Sequence, residues 1–106
     1  MICAKLYITP DGEMLGFSIK GHSGQGHAGN DILCAAVSSA AFLIANTVTD
    51  VLHLPAEISV EDGLMELVVE QKDARRCRDL FAGFKLHLLG LEEEYPKNMK
   101  VSTTEV

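Results

Sequence analysis

Over its first residues the chain alternates Ile2, Ala4, Leu6 and Ile8 with Cys3, Lys5 and Tyr7, the period of two that lays one face of a strand on a core. Pro10-Asp11-Gly12 follows, a turn in which Gly12 tolerates positive φ, and beyond it Leu15, Phe17 and Ile19 alternate with Gly16, Ser18 and Lys20. The pattern predicts a β-hairpin. The same grammar recurs later. Ile58 and Val60 alternate with Glu57, Ser59 and Glu61, Asp62-Gly63 makes the turn, and Met65, Leu67 and Val69 alternate with Glu66 and Glu70, which predicts a second hairpin.

Each hairpin precedes a helical pattern. The first runs from Ile32 to about His53, with Asn30 or Asp31 as N-cap and Leu54-Pro55 as its end, because the residue before proline avoids the helical region. It is apolar nearly all round: Val37, Phe42, Leu43, Ile44, Val48, Val51 and Leu52 are interspersed with alanines, which implies burial on more than one side, under the sheet or against a partner subunit. The second helix is expected from about Asp73 to Leu89, with Cys77, Leu80, Phe81, Phe84 and Leu88 at three- and four-residue steps and Gly90 as its stop. A short edge strand is expected in the tail around Tyr95 to Val101. The expected fold is therefore α+β, in two layers: two hairpin-plus-helix units forming a mainly antiparallel sheet with both helices on one face.

With 106 residues, this is one domain spanning 1–106. Folding buries about 65% of the extended chain's surface at this size, so a site is expected in a surface groove or an interface. The formal net charge of −6 gives no electrostatic footprint for nucleic acid and favours a basic protein partner. Neither a long uncharged membrane span nor a cleavable leader is read from the chain, so a cytoplasmic location is expected, and three widely spaced cysteines, Cys3, Cys34 and Cys77, are read as reduced thiols.

The two units differ at one place. Between the first hairpin and its helix lies Gly21-His22-Ser23-Gly24-Gln25-Gly26-His27-Ala28-Gly29-Asn30, in which Gly21, Gly24, Gly26 and Gly29 are four of the chain's nine glycines. A flexible loop over 21–30 that clamps a substrate is the expectation. Cys34 follows in what the pattern makes the first helical turn. There the helix dipole favours a thiolate by about 1 kcal/mol, too little alone, so an imidazole from His22 or His27 has to complete the activation, with Asp31 able to orient the ring or to cap the helix. Free first-turn amides would offer an oxyanion site.

Other readings of these residues are blander or different in kind. Cys3 and Cys77 read as small buried hydrophobes, Ser38 as a packing residue, His53 and His87 as surface residues or helix-end dipole partners, and Arg75, Arg76, Arg78 and Glu92 to Glu94 as solvated faces. Gly24-Gln25-Gly26-His27-Ala28-Gly29 is a literal GxGxxG, but it follows a hairpin, and Asp50 falls within a helix where a nucleotide fold needs a strand end. A zinc site from His22, His27, Asp31 and Cys34 matches no established ligand spacing. Neither a metal nor a cofactor is expected.

Gly21-His22-Ser23-Gly24 followed by Gly29-Asn30-Asp31-Ile32-Leu33-Cys34-Ala35-Ala36-Val37-Ser38 resembles the signature of the ribosomal-processing cysteine proteases called Prp, and the Asp62-Gly63 turn and Tyr95-Pro96 tail resemble that family as well. The resemblance implies a homodimeric bacterial endopeptidase that removes the N-terminal extension of large-subunit ribosomal protein twenty-seven, cutting after a hydrophobic stretch that ends in an aromatic residue. By position it implies Cys34 as nucleophile and His22 as general base, with Asp31 and Ser38 in supporting roles. Ser23 and the filler from Gln25 to Ala28 depart from the family pattern, and His27 has no counterpart in it. The alternative is a non-catalytic ribosome-associated or metal-binding module built on the same loop.

Overall fold

The structure, a computed structural model, describes residues 1–21 and 28–106, and of residues 28–31 the backbone alone. The elements are β1 (Ile2–Ile8), β2 (Met14–Lys20), α1 (Ala28–Asn46), β3 (Ala56–Glu61), β4 (Leu64–Val69), α2 (Arg78–Glu94) and β5 (Met99–Glu105). A π-helical turn, Thr47–Val51, extends α1, and a 3-10 segment, Gln71–Cys77, leads into α2. The five strands form one sheet in the order β3-β4-β2-β1-β5. Every pairing is antiparallel except β1 with β5, which is parallel. The expected two-layer α+β fold is the observed one.

Both turns form as their glycines require: Gly12 has φ +90° and Gly63 φ +74°. Thr9 locks the first turn by accepting from the Glu13 N–H on its Oγ1 (3.0 Å) while its hydroxyl donates to Asp11. The registers Ala4↔Ile19, Leu6↔Phe17 and Phe17↔Leu67 then place one apolar face under the helices. Phe17 meets Phe84 of α2 with ring centroids 4.6 Å apart, a tilted aromatic pair at the centre of the core. Leu33, Val37, Ala41 and Ile44 of α1, continued by Val48 of the π-helical turn, form one buried stripe.

Several boundaries differ from the sequence expectation, each for a local reason. α1 begins at Ala28, so Gly29, Asn30 and Asp31 are helical and neither Asn30 nor Asp31 is the N-cap. α2 passes through Gly90 and stops at Tyr95, whose N–H bonds the Leu91 carbonyl at 2.8 Å. Leu91 packs against the core, and Pro96 excludes the helical region at Tyr95. The edge strand of the tail is longer than expected, reaching Glu105, and Glu92 accepts the Val101 N–H at 2.7 Å instead of standing solvated. Arg78 pairs with Glu13 at 3.1 Å and Arg76 donates to the Leu52 carbonyl at 3.2 Å, so two of the three arginines brace neighbouring turns.

By length and hydropathy Ile32–Val51 is apolar enough to cross a membrane, contrary to the sequence reading. Here its inward stripe is core, while Ile32, Phe42 and Leu43 on its outer side are exposed. Burial on more than one side is thus not met within a single chain.

The sheet's other face carries no helix among the described residues. On it the Tyr7 hydroxyl donates to the Glu66 carboxylate across β2. Burial first, and then that bond to Glu66, hold Tyr7 above its usual value near 10, against a smaller lowering by Ser18. A raised native value means that the contribution is complete below the unfolded value and is lost as pH climbs through the native one. Urea midpoints should therefore fall more steeply above about pH 10 for the wild type than for Tyr7→Phe. Parallel slopes would contradict the assignment.

Candidate active site

Three elements converge beside Cys34. β2 ends at Lys20, and Gly21 turns the chain with φ +94°, its N–H bonded to the Gly63 carbonyl at 2.8 Å. A side chain at Gly21 would overlap the Met1 carbonyl oxygen, so only glycine fits this exit from the strand. Gly21, expected as part of a flexible loop, is thus a fixed root tied to the β3–β4 turn. His22, Gly24, Gly26 and His27 lie outside the described residues, as does the Asp31 side chain, while Gly29 belongs to the backbone of α1.

Cys34 is half-buried and packs against the edge of the core. It lines a cleft of about 190 Å³ whose walls are Ser38, Ala41 and Phe42 of α1, Ile19 and Gly21 at the end of β2, and Val60, Glu61, Gly63, Leu64 and Met65 of the second hairpin. Ser38 is exposed, one turn along from Cys34 on this same wall. It is thereby a cleft residue as well as a helix residue, which its sequence surroundings alone did not disclose. Glu61 is the one carboxylate among the described lining residues. The second hairpin's part in this cleft was not visible in the sequence, since Val60 and Glu61 read there only as an alternating strand.

Because α1 starts at Ala28, Cys34 sits in the second helical turn. The unsatisfied N–H groups of the helix are those of its first turn, and the Cys34 amide lies within the ladder. The dipole's influence fades beyond the first turn, so the helix end contributes less to a thiolate than the sequence expectation assigned.

The other two cysteines frame the contrast. Cys3 is half-buried on the open sheet face, which corrects its reading as a core residue, and Cys77 is fully buried at the base of α2. Burial, then the Asp73 charge, push the Cys77 thiol up, with Arg76 opposing weakly. Cys77 should stay unmodified by iodoacetamide in native protein and react only after unfolding, as peptide mapping would read. Native labelling of Cys77 on the timescale of Cys34 would contradict its burial. His53 terminates the π-helical turn region with φ +55°, and His87 is exposed on the groove between the helices. Among the described residues no group of three His, Cys, Asp or Glu is placed to hold a metal ion.

A small α+β protein with a half-buried helical thiol on the wall of an open cleft is compatible with thiol chemistry at that cleft. The family model for the cysteine protease Prp matches residues 1–100, and the chain belongs to that family. It is a cysteine protease. Among solved structures, it is similar to the essential ribosomal processing protease Prp from S. aureus in complex with a substrate peptide, at TM-score 0.87 and 21% identity, covering 98% of this chain and 100% of that one. The same protease with a covalently linked product peptide gives TM-score 0.86 and 22% identity, with 98% and 100% covered. SMU.848 from Streptococcus mutans gives TM-score 0.81 and 23% identity, with 100% and 96% covered. No curated protein matches the chain.

Proposed function

We propose that this protease removes the N-terminal extension of a ribosomal protein, large-subunit protein twenty-seven, with Cys34 as nucleophile and His22 as general base. The observation that carries the reading is that Cys34 and Gly21 line one cleft, Gly21 being the residue that precedes His22 in the chain. His22 takes the thiol proton, the Cys34 sulfur attacks the substrate carbonyl, and the resulting imidazolium protonates the leaving amine. Water, activated by His22, then releases the acyl group and restores the thiol. Asp31 orients the imidazole or stabilises the helix start, and Ser38 contacts the bound chain on the cleft wall. With the Cys34 amide inside the helix ladder, donors for the oxyanion come from the chain before it, where the first-turn amides of α1 have no partner within the helix itself. The net charge of −6 favours encounter with a basic ribosomal protein in the cytoplasm.

Incubation of the protein with a peptide spanning that extension should release a single N-terminal fragment, seen by mass spectrometry. An intact peptide after prolonged incubation with active, folded protein would contradict the reading. The exposed outer face of α1, with Ile32, Phe42 and Leu43, supports a homodimer. Sedimentation velocity should give a dimer that Leu43→Lys converts to monomer, whereas a wild-type monomer at every concentration would dismiss it.

A further inference from the structure

β3 is an edge of the sheet, and among the described residues its main chain pairs with β4 alone. Every second residue of such a strand turns its N–H and C=O outward, available to another strand. The side chains are unusual for a protected edge. On the helix side, Ile58 and Val60 share the registers of buried Leu67 and Met65, yet are 39% and 54% exposed because neither helix reaches over them. On the opposite side, Glu57, Ser59 and Glu61 are all exposed. At its far end the strand borders the cleft, whose lining includes Val60 and Glu61 as well as Cys34 and Phe42.

We propose that the free edge of β3 binds the substrate as an added strand and delivers it to Cys34. This rests on the protease reading above and adds to it a mode of recognition and a sequence preference. In an added strand, side chains alternate between the two faces. Those on one face cover Ile58 and Val60 and are apolar. Those on the other meet Glu57 and Glu61, which select lysine or arginine. The two glutamates lie four residues apart, about 13 Å along the strand, so the preferred segment carries basic residues at i and i+4 with apolar residues alternating between them. A second copy of this chain fits less well: antiparallel pairing of β3 with itself about Ser59 sets Glu57 against Glu61, like charge on like charge.

The test separates binding from cleavage by using Cys34→Ala and a fluorescent peptide long enough to span β3, in which lysine and apolar residues alternate. N-methylation of successive peptide amides should weaken binding at every second position, by about tenfold where the amide faces β3 and under about twofold between. Charge reversal of both glutamates, Glu57→Lys with Glu61→Lys, should weaken this peptide by about tenfold and strengthen one with glutamate in place of lysine. Both positions are exposed, and circular dichroism verifies that the variant is folded. A methylation scan without period two, affinities indifferent to the reversal, or dilution-dependent β3 self-association that the peptide does not compete with would each overturn the proposal. Cleavage of the extension peptide by wild-type protein alongside such a result would leave the protease reading standing, while absent cleavage would remove that reading itself.

Discussion

Cys34→Ala should lower the rate of extension cleavage by at least about a thousandfold while leaving peptide affinity within a few-fold of wild type. Alanine suits the site structurally. It favours the interior of a helix, and a half-buried position at the core's edge loses only one sulfur's packing, so the fold should survive. What disappears is the sulfur proposed to form the acyl bond. Cys34→Ser should be nearly as inactive, since a hydroxyl without strong activation is a far poorer nucleophile than a thiolate. His22→Ala should fail in the same step. Because the second-turn position of Cys34 gives it little help from the helix end, the proposed roles leave most of the activation to the imidazole, and Cys34 in His22→Ala should be alkylated more slowly than in the wild type. Retained turnover in either variant, measured by chromatography of the peptide products, would refute these roles.

The second large effect concerns folding. Gly16 lies in β2 opposite Tyr7 on one side and Val68 on the other, and a Cβ there would overlap the Leu67 carbonyl oxygen within the sheet itself. Backbone on both flanks cannot give way as a flexible side chain would. Gly16→Ala should therefore cost more than about 3 kcal/mol, a large part of a small domain's stability, and lower Tm by about 15 °C or abolish folding. Gly83→Ala is the natural comparison. Gly83 is helical, and a Cβ there would meet nothing within 4 Å, so the same substitution should raise stability by up to about 1 kcal/mol. Thermal denaturation followed by circular dichroism reads both. Equal midpoints for the two variants would contradict the close approach at Gly16.

The strands were legible because their information is local. A period of two, broken by Pro10-Asp11-Gly12 and Asp62-Gly63, defines hairpins without reference to the rest of the chain. Helix ends were less so, since they depend on tertiary partners: Gly90 would stop an isolated helix, but Leu91 finds the core and Pro96 does the stopping. Alternation identified β3 as a strand and left unsaid that the helices stop short of Ile58 and Val60, which is a matter of how far two helices extend over five strands. At the site, the family signature pointed to Cys34 and to the loop before it. The contribution of Val60, Glu61 and Leu64 to the cleft arises from long-range pairing of the second hairpin with β2, and local sequence carries no trace of it.

The central claim is that the Cys34 sulfur becomes bonded to the substrate's acyl group. Rapid acid quenching of wild-type protein with the extension peptide, followed by intact-protein and peptide mass analysis, should find a mass increment equal to the N-terminal fragment minus water, located on Cys34 and absent from Cys34→Ala. Product formation with no adduct at any quench time, or an adduct on Cys3 or Cys77 with Cys34 unmodified, would contradict it.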